Sequence, residues 1–296
     1  LRSKTKTASG PTPRPRASVV SDVLERKPFQ DLLVRFAGEN NFSLEQVREN
    51  ARSYLNEIAA DLNYMVMPFW DAALTAFFRG TYEGIVIDEP RLNELRAHLG
   101  KKSIVFVPNH RSHVDYLLLS YLFNQQPFPM PMVCAGSNLS FWPLGPLFRK
   151  SGGFFIRRSY EGNKLYAACV QSYLEELIRQ KNVLEFLVEG TRSRSGKLLP
   201  PRMGILSAIV QAYLNGAAED VLLVPTSLTY ESVLEEKSYL EEHAGSEKKS
   251  ERPLDLVHLV RFFKKRSGKV YLRFGDPVSL RDWMQEVPVA KKREKV

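Results

Sequence analysis

The sequence predicts an α/β fold: a mixed, mostly parallel sheet covered by helices, preceded by an N-terminal helical subdomain. Three observations carry this reading. Short β-rich runs are apolar on both faces, helical patterns alternate with them, and a long helical stretch precedes the first run.

The chain has 296 residues, 44% of them hydrophobic and 25% charged, which is ordinary for a folded protein and excludes wholesale disorder. The formal charge is +9, and Arg2, Lys4, Lys6, Arg14 and Arg16 supply five of those charges with no acid among residues 1–21. The remainder is only mildly basic, a balance that suits an anionic membrane surface or a phosphorylated substrate as well as nucleic acid. Cys134 and Cys169 lack the paired spacing of a zinc or redox site and read as buried thiols in a reducing compartment. No run of about 18 apolar residues exists, and the nearest candidate, residues 64–78, is interrupted by Pro68 and Asp71. No signal-peptide pattern is visible, and Leu1 in place of Met points to a fragment or a trimmed chain.

Residues 1–17, with Pro11, Pro13 and Pro15 among basic side chains, read as a disordered arm. Residues 18–80 form the helical subdomain. There Leu24, Phe29, Leu32, Leu33 and Phe36 recur at helical spacing, Asn41 and Ser43 break and cap, and Val47, Ala51, Leu55 and Ile58 resume the pattern. The main domain is expected over 81–285. Its strands are predicted at 84–87, 104–108, 130–135, 154–156, 184–188, 222–228 and 270–274, and its helices at 115–124, 164–179, 203–214 and 254–266. Residues 231–253, rich in Glu and Lys, read as a solvated insertion or helix, and 286–296 as a basic tail.

The chemistry gathers where strands end. In Val107-Pro108-Asn109-His110-Arg111-Ser112-His113-Val114-Asp115 an apolar strand delivers a polar turn with a helix starting inside it. If His110 lies in the turn and Asp115 in the first helical turn, the carboxylate fixes one ring N–H and leaves the other nitrogen as a base. Spacing alone also allows a helix N-terminus capped by Ser112 with an acid in its first turn. His113 is expected to be structural. In Gly152-Gly153-Phe154-Phe155-Ile156-Arg157-Arg158 a short apolar strand ends in two guanidinium forks suited to a phosphate, or in two solvated edge-strand arginines.

The segment Glu189-Gly190-Thr191-Arg192-Ser193-Arg194-Ser195-Gly196-Lys197 could be mistaken for a P-loop. Five residues separate Gly190 from Gly196 where four are needed, and Leu198 follows Lys197 where Ser or Thr is required. An anion cradle of Arg192, Arg194 and backbone N–H groups remains. A fourth segment, Val224 to Tyr230, is a buried strand carrying Pro225 and by itself says nothing about function.

Taken in order, the four blocks resemble the glycerol-3-phosphate and dihydroxyacetone-phosphate acyltransferase family, in particular its bacterial membrane-associated branch. They comprise a His-x4-Asp motif (His110 to Asp115), a Gly-x-Phe-Phe-Ile-Arg-Arg type block (Gly152 to Arg158), a Glu-Gly-Thr-Arg-Ser-Arg block (Glu189 to Arg194) and a Val-Pro block. Residues 138–150 and 161–166 also look like that branch, and the resemblance covers roughly 80–280. It implies a glycerol-phosphate acyltransferase-like fold that moves a fatty acyl group from acyl-CoA or acyl-carrier protein to the sn-1 hydroxyl of glycerol 3-phosphate. His110, oriented by Asp115, would be the general base, with no acyl-enzyme, although Ser112 is near enough in sequence to be tested as a nucleophile. Arg157, Arg158, Glu189, Gly190, Thr191, Arg192 and Arg194 would bind the acceptor, with no cofactor and no metal.

Peripheral attachment at the cytoplasmic face of a membrane would follow, through residues 65–78 and 141–144, with no nucleic-acid partner. Gly153 stands where alanine is common in the bacterial branch, and Thr191 replaces a glycine seen there. Both departures leave open whether dihydroxyacetone phosphate is the acceptor. Many relatives also carry a long further region after the point where this chain ends. A different class, a non-catalytic module binding anionic lipid or RNA, would use the same cations, but aromatics interleaved on a basic stripe are missing.

Overall fold

The computed structural model describes residues 14–234 and 267–286. The expected arm up to residue 13, the greater part of the 231–253 insertion, the helix expected at 254–266 and the tail beyond 286 lie outside the described residues. Helix α1 (Arg16–Glu25) begins inside the stretch expected to be an arm. It is followed by α2 (Lys27–Asn40), α3 (Leu44–Ile58) and α4 (Met67–Thr81). Ser43 starts α3 with a complete capping box: its hydroxyl accepts from the Gln46 N–H while the Gln46 side chain accepts from the Ser43 N–H.

Then come β1 (Gly84–Ile87), α5 (Glu89–Arg96), β2 (Ser103–Pro108), α6 (Asp115–Gln125), β3 (Met132–Gly136), α7 (Leu144–Lys150), β4 (Gly153–Ile156) and α8 (Lys164–Arg179). The series ends with β5 (Val183–Glu185), α9 (Met203–Leu214), β6 (Val221–Tyr230), β7 (Lys269–Phe274), β8 (Val278–Ser279) and α10 (Leu280–Glu286). The strands form one sheet in the order β1-β7-β6-β2-β5-β3-β4, with β8 beside β6. From β6 to β4 every pairing is parallel, so the chain leaves β2, β3, β4 and β5 at the same edge of the sheet. Antiparallel pairing of β6 with β7 and β8 makes the sheet mixed, as expected.

Helical coverage explains the strands' composition: Ile104, Val105 and Phe106 in β2 are fully buried, a pattern that needs apolar cover on both faces. The N-terminal helices provide part of that cover and share one continuous core with the sheet domain. The bond from the Ala60 N–H to the Tyr173 hydroxyl (3.0 Å) ties the end of α3 to α8. Arg149 of α7 donates to the Ala59 carbonyl at 2.6 Å, and Arg26 donates to the buried Glu176 at 2.7 Å. The change from helices to strands near residue 81 is therefore a change of element type within one core.

Differences from the expected elements have local causes. The strand expected at 184–188 ends at Glu185, because the chain then turns, with the Gly190 N–H bonded to the Leu187 carbonyl. The strand expected from 130 starts at Met132, after Pro131, which has no N–H to donate. Helices α5, α7 and α10 were not expected. The first is charged and buries only Leu92 and Leu95, and α7 contains Gly145 and Pro146. Pro146 is tolerated there because first-turn N–H groups have no intrahelical partner. Gly152, at φ +100°, cannot be replaced freely, since a Cβ would lie 2.6 Å from the Pro131 carbonyl oxygen.

Glu185 is 1% exposed in the centre of the sheet, and neither carboxyl oxygen has a hydrogen-bond partner among the described residues. Burial, reinforced by the charge of nearby Asp115, pushes its carboxyl well above the usual carboxylate range. Above the unfolded-chain value of about 4.3 and below the raised native one, the folded protein keeps a proton that the unfolded chain has released. Stability contributed by this group is therefore lost as pH rises through that window. Glu185→Gln, neutral at every pH, is expected to gain stability over the parent as pH is raised from about 4 to 7, read as urea midpoints. A difference that stays flat across that range would contradict the assignment.

Candidate active site

Strand β2 delivers the first functional residues. Beyond Pro108, Asn109 prolongs the pairing with β6: its N–H donates to the Thr226 carbonyl, its side-chain amide donates to the Leu228 carbonyl at 3.0 Å, and its side-chain oxygen accepts from the Leu228 N–H at 2.6 Å. The next residue, His110, starts the turn, and Asp115 is the first residue of α6.

Asp115 is fully buried and accepts from four donors. Its Oδ2 receives the His110 ring at Nδ1 (2.8 Å) and the N–H groups of Arg111 (2.6 Å) and Ser112 (2.9 Å), and its Oδ1 receives the Tyr230 hydroxyl at 2.5 Å. An ionised carboxylate is an acceptor only, so the ring nitrogen that faces it is a donor and carries a proton, and Nε2 is the ring nitrogen left for other contacts. The alternative, a helix capped by Ser112, is not what forms: α6 has no side-chain cap, and Asp115 reaches back to the preceding turn instead. Ser112 is itself fully buried and does not line the cleft described below.

His110, with 13% of its side chain exposed, opens onto a cleft of about 970 Å³. The cleft lies along the edge of the sheet where β2, β3, β4 and β5 end. Leu139, Ile156, Phe186, Val188 and Ile205 give it apolar walls, and Arg157, Arg158, Lys164, Arg192 and Arg202 bring cations to it. Gly190 and Thr191 also line it, as does His113, which was expected to be structural only. Gly190 adopts φ +65°, and a Cβ there would lie 2.5 Å from Cδ of Arg202.

Three expected acceptor-binding residues stand differently. Glu189 is 2% exposed and does not line the cleft: Oε1 accepts from the His110 N–H at 3.0 Å and Oε2 from the Leu199 N–H at 3.0 Å. It clamps the backbone of the histidine turn, and the Ser193 N–H donates back to the His110 carbonyl at 2.9 Å. Arg157 reaches the cleft wall but grips Glu57 of α3 with both Nε (2.8 Å) and Nη2 (2.6 Å), and its plane lies over the rings of Tyr54 and Tyr166. That pairing raises its pKa further. Arg194 does not line the cleft. Arg158 and Arg192 do.

Tyr230, Arg202 and Lys164 were not singled out from the sequence. Tyr230 stands at the end of a strand with no spacing relation to His110, and Arg202 is separated from the Glu-Gly-Thr-Arg block by a loop.

Among the described residues no group of three or more His, Cys, Asp or Glu side chains gathers as metal ligands do, and no helix is long and apolar enough to cross a membrane.

A family model described as Acyltransferase matches residues 88–229, and one described as Glycerol-3-phosphate acyltransferase C-terminal region matches residues 239–294. The chain is 38% identical over 283 residues to a glycerol-3-phosphate acyltransferase of Alteromonas mediterranea, covering 95% of this chain and 34% of that protein. It is 37% identical over 279 residues to one of Aeromonas hydrophila, covering 94% and 34%. The chain thus spans about a third of the length of the curated relatives it matches. The solved 1-acyl-sn-glycerophosphate acyltransferase of Thermotoga maritima aligns at 18% identity with a TM-score of 0.43, over 94% of this chain and 97% of that one.

If Glu189 holds the histidine turn and does not bind substrate, Glu189→Gln turns an acceptor into a donor facing a buried N–H, at a cost of about 1–3 kcal/mol. Denaturant unfolding is expected to show that loss, with kcat falling while KM for the acceptor stays near the parent value. A variant whose only change is a raised acceptor KM would return Glu189 to the binding pocket.

Proposed function

We propose that this chain is the part of a glycerol-3-phosphate acyltransferase that carries out acyl transfer to the sn-1 hydroxyl of glycerol 3-phosphate. The carrying observation is the buried Asp115 carboxylate bonded at 2.8 Å to Nδ1 of a histidine that faces a cleft part cationic and part apolar. The relatives' names support glycerol 3-phosphate as acceptor, and the apolar wall fits an acyl chain carried as a thioester of CoA or of an acyl-carrier protein. A passive binder of anionic lipid or RNA has no use for a histidine held in one tautomer.

The steps follow from the residues. Nε2 of His110 takes the proton of the acceptor hydroxyl as its oxygen attacks the thioester carbonyl. Asp115 faces the imidazolium so formed at a distance where the opposite charges attract. When the tetrahedral intermediate collapses, the carbon–sulfur bond breaks and the imidazolium returns the proton to the thiolate, leaving an ester and a free thiol. No acyl-enzyme is needed. General-base assistance accounts for roughly 10²–10⁴-fold, and holding both substrates in one cleft must contribute the larger share.

Peripheral attachment to a membrane belongs to the same proposal, since the product is a lysophospholipid. Met65 just before α4, Phe69 in its first turn and Trp142 before α7 are 88%, 68% and 83% exposed, which a lipid interface accommodates and water disfavours.

His110→Ala and Asp115→Asn are each expected to abolish thiol release from acyl-CoA that depends on added glycerol 3-phosphate, while the far-UV circular dichroism stays unchanged. Full turnover in either variant would remove the mechanism, and a parent protein that prefers dihydroxyacetone phosphate would change the acceptor. In vesicle flotation the protein is expected to float with anionic liposomes, and Phe69→Ser with Trp142→Ser to reduce the floated fraction severalfold. Protein that stays wholly in the soluble layer would count against attachment.

A further inference from the structure

We propose that Arg202, which lies outside the sequence blocks that suggested the site, is a binding residue for the phosphate of the acceptor. The inference rests on the acyl-transfer reading above and adds a specificity determinant to it. Arg202 precedes α9, and its backbone N–H is bonded to the Val188 carbonyl at 2.7 Å, so its Cα is tied to the wall of the cleft. From there the side chain passes over Gly190, whose missing Cβ leaves the space: a Cβ would stand 2.5 Å from Cδ and 3.1 Å from Nε of Arg202. Arg202 lines the cleft, and its guanidinium has no hydrogen bond or ion pair among the described residues. Arg157, by contrast, spends two donors on Glu57. One of the two arginines expected to meet the phosphate from the β4 end is thus engaged, and a fork from another element stands open.

Reach supports the assignment. Gly190 lies between Glu189, whose carboxylate accepts from the His110 N–H, and Ser193, whose N–H donates to the His110 carbonyl. Arg202 therefore crosses the chain close to the catalytic turn. In a three-carbon phosphorylated alcohol the reacting hydroxyl and the phosphorus are about 6 Å apart by ordinary bond lengths. An acceptor with its hydroxyl at His110 can therefore place its phosphate against the part of the cleft that Gly190 and Arg202 line. Glycine at 190 then serves two ends: it takes the left-handed turn conformation and it lets the arginine pass.

The test compares Arg202→Met, which keeps the alkyl stem over Gly190, with Arg202→Lys. In Arg202→Met the KM for glycerol 3-phosphate is expected to rise about 10- to 100-fold, the loss of a charge-assisted hydrogen bond. Arg202→Lys should recover part of it, and the KM for the acyl thioester should stay within about twofold. Inorganic phosphate, competing with the acceptor, should weaken by a similar factor. A shift in the thioester KM alone would assign Arg202 to the donor, and unchanged KM values for both substrates would end the proposal. Inorganic phosphate binding by calorimetry keeps the two readings apart. If the parent shows no acyl transfer, the reaction falls, while equal phosphate affinity in parent and Arg202→Met would overturn the role of Arg202 by itself.

Discussion

One buried carboxylate holds the functional end of this molecule together. Asp115 is removed from water, and its two oxygens collect the His110 ring, two turn N–H groups and the Tyr230 hydroxyl. A buried charge without partners would be destabilising by several kcal/mol, so the turn between β2 and α6 has little freedom to take another shape. The same contacts that satisfy the carboxylate orient the imidazole. Stability of the turn and orientation of the ring are one arrangement.

The sheet explains how separate segments reach that turn. Parallel pairing from β6 through β4 brings the chain out at one edge after β2, β3, β4 and β5. Glu189, just past β5, clamps the His110 backbone, and Tyr230, at the end of β6, reaches Asp115. The N-terminal helices take part as well. Through Glu57 and Tyr54 they hold Arg157 against the wall of the cleft, with its guanidinium engaged by a helix and not by the cleft alone. Four sequence blocks that look like four functional motifs therefore divide into different duties: an orienting carboxylate, a cation bridge to a helix, a backbone clamp and a hydroxyl donor.

How much of this was legible follows from the range of the interactions. The fully apolar strands, the amphipathic pattern of α8 and the His110–Asp115 pairing are local or periodic, and the sequence displays them directly. Helix α8 spans Lys164–Arg179 as the periodicity predicts. The duties of Glu189, Arg157 and Tyr230 depend on partners 79, 100 and 115 positions away. Nothing in their own neighbourhoods marks a glutamate as a clamp instead of a ligand, or one arginine of a pair as already engaged. Short helices escaped for another reason: α5 and α7 bury too few residues for a helical period to emerge. The motifs show where strands end in polar turns, and contacts between distant segments decide what each residue there does.

The central claim is that Asp115 fixes the His110 imidazole with its proton on Nδ1 and a bare Nε2 facing the cleft. Nitrogen-15 NMR of the ring-labelled protein, compared with Asp115→Asn, tests it most directly. The account predicts a far-downfield Nδ1–H resonance from His110 and an unprotonated Nε2 in the parent, with that pattern lost in the variant. A His110 ring that carries its proton on Nε2, or one whose spectrum ignores the loss of the carboxylate, would contradict it.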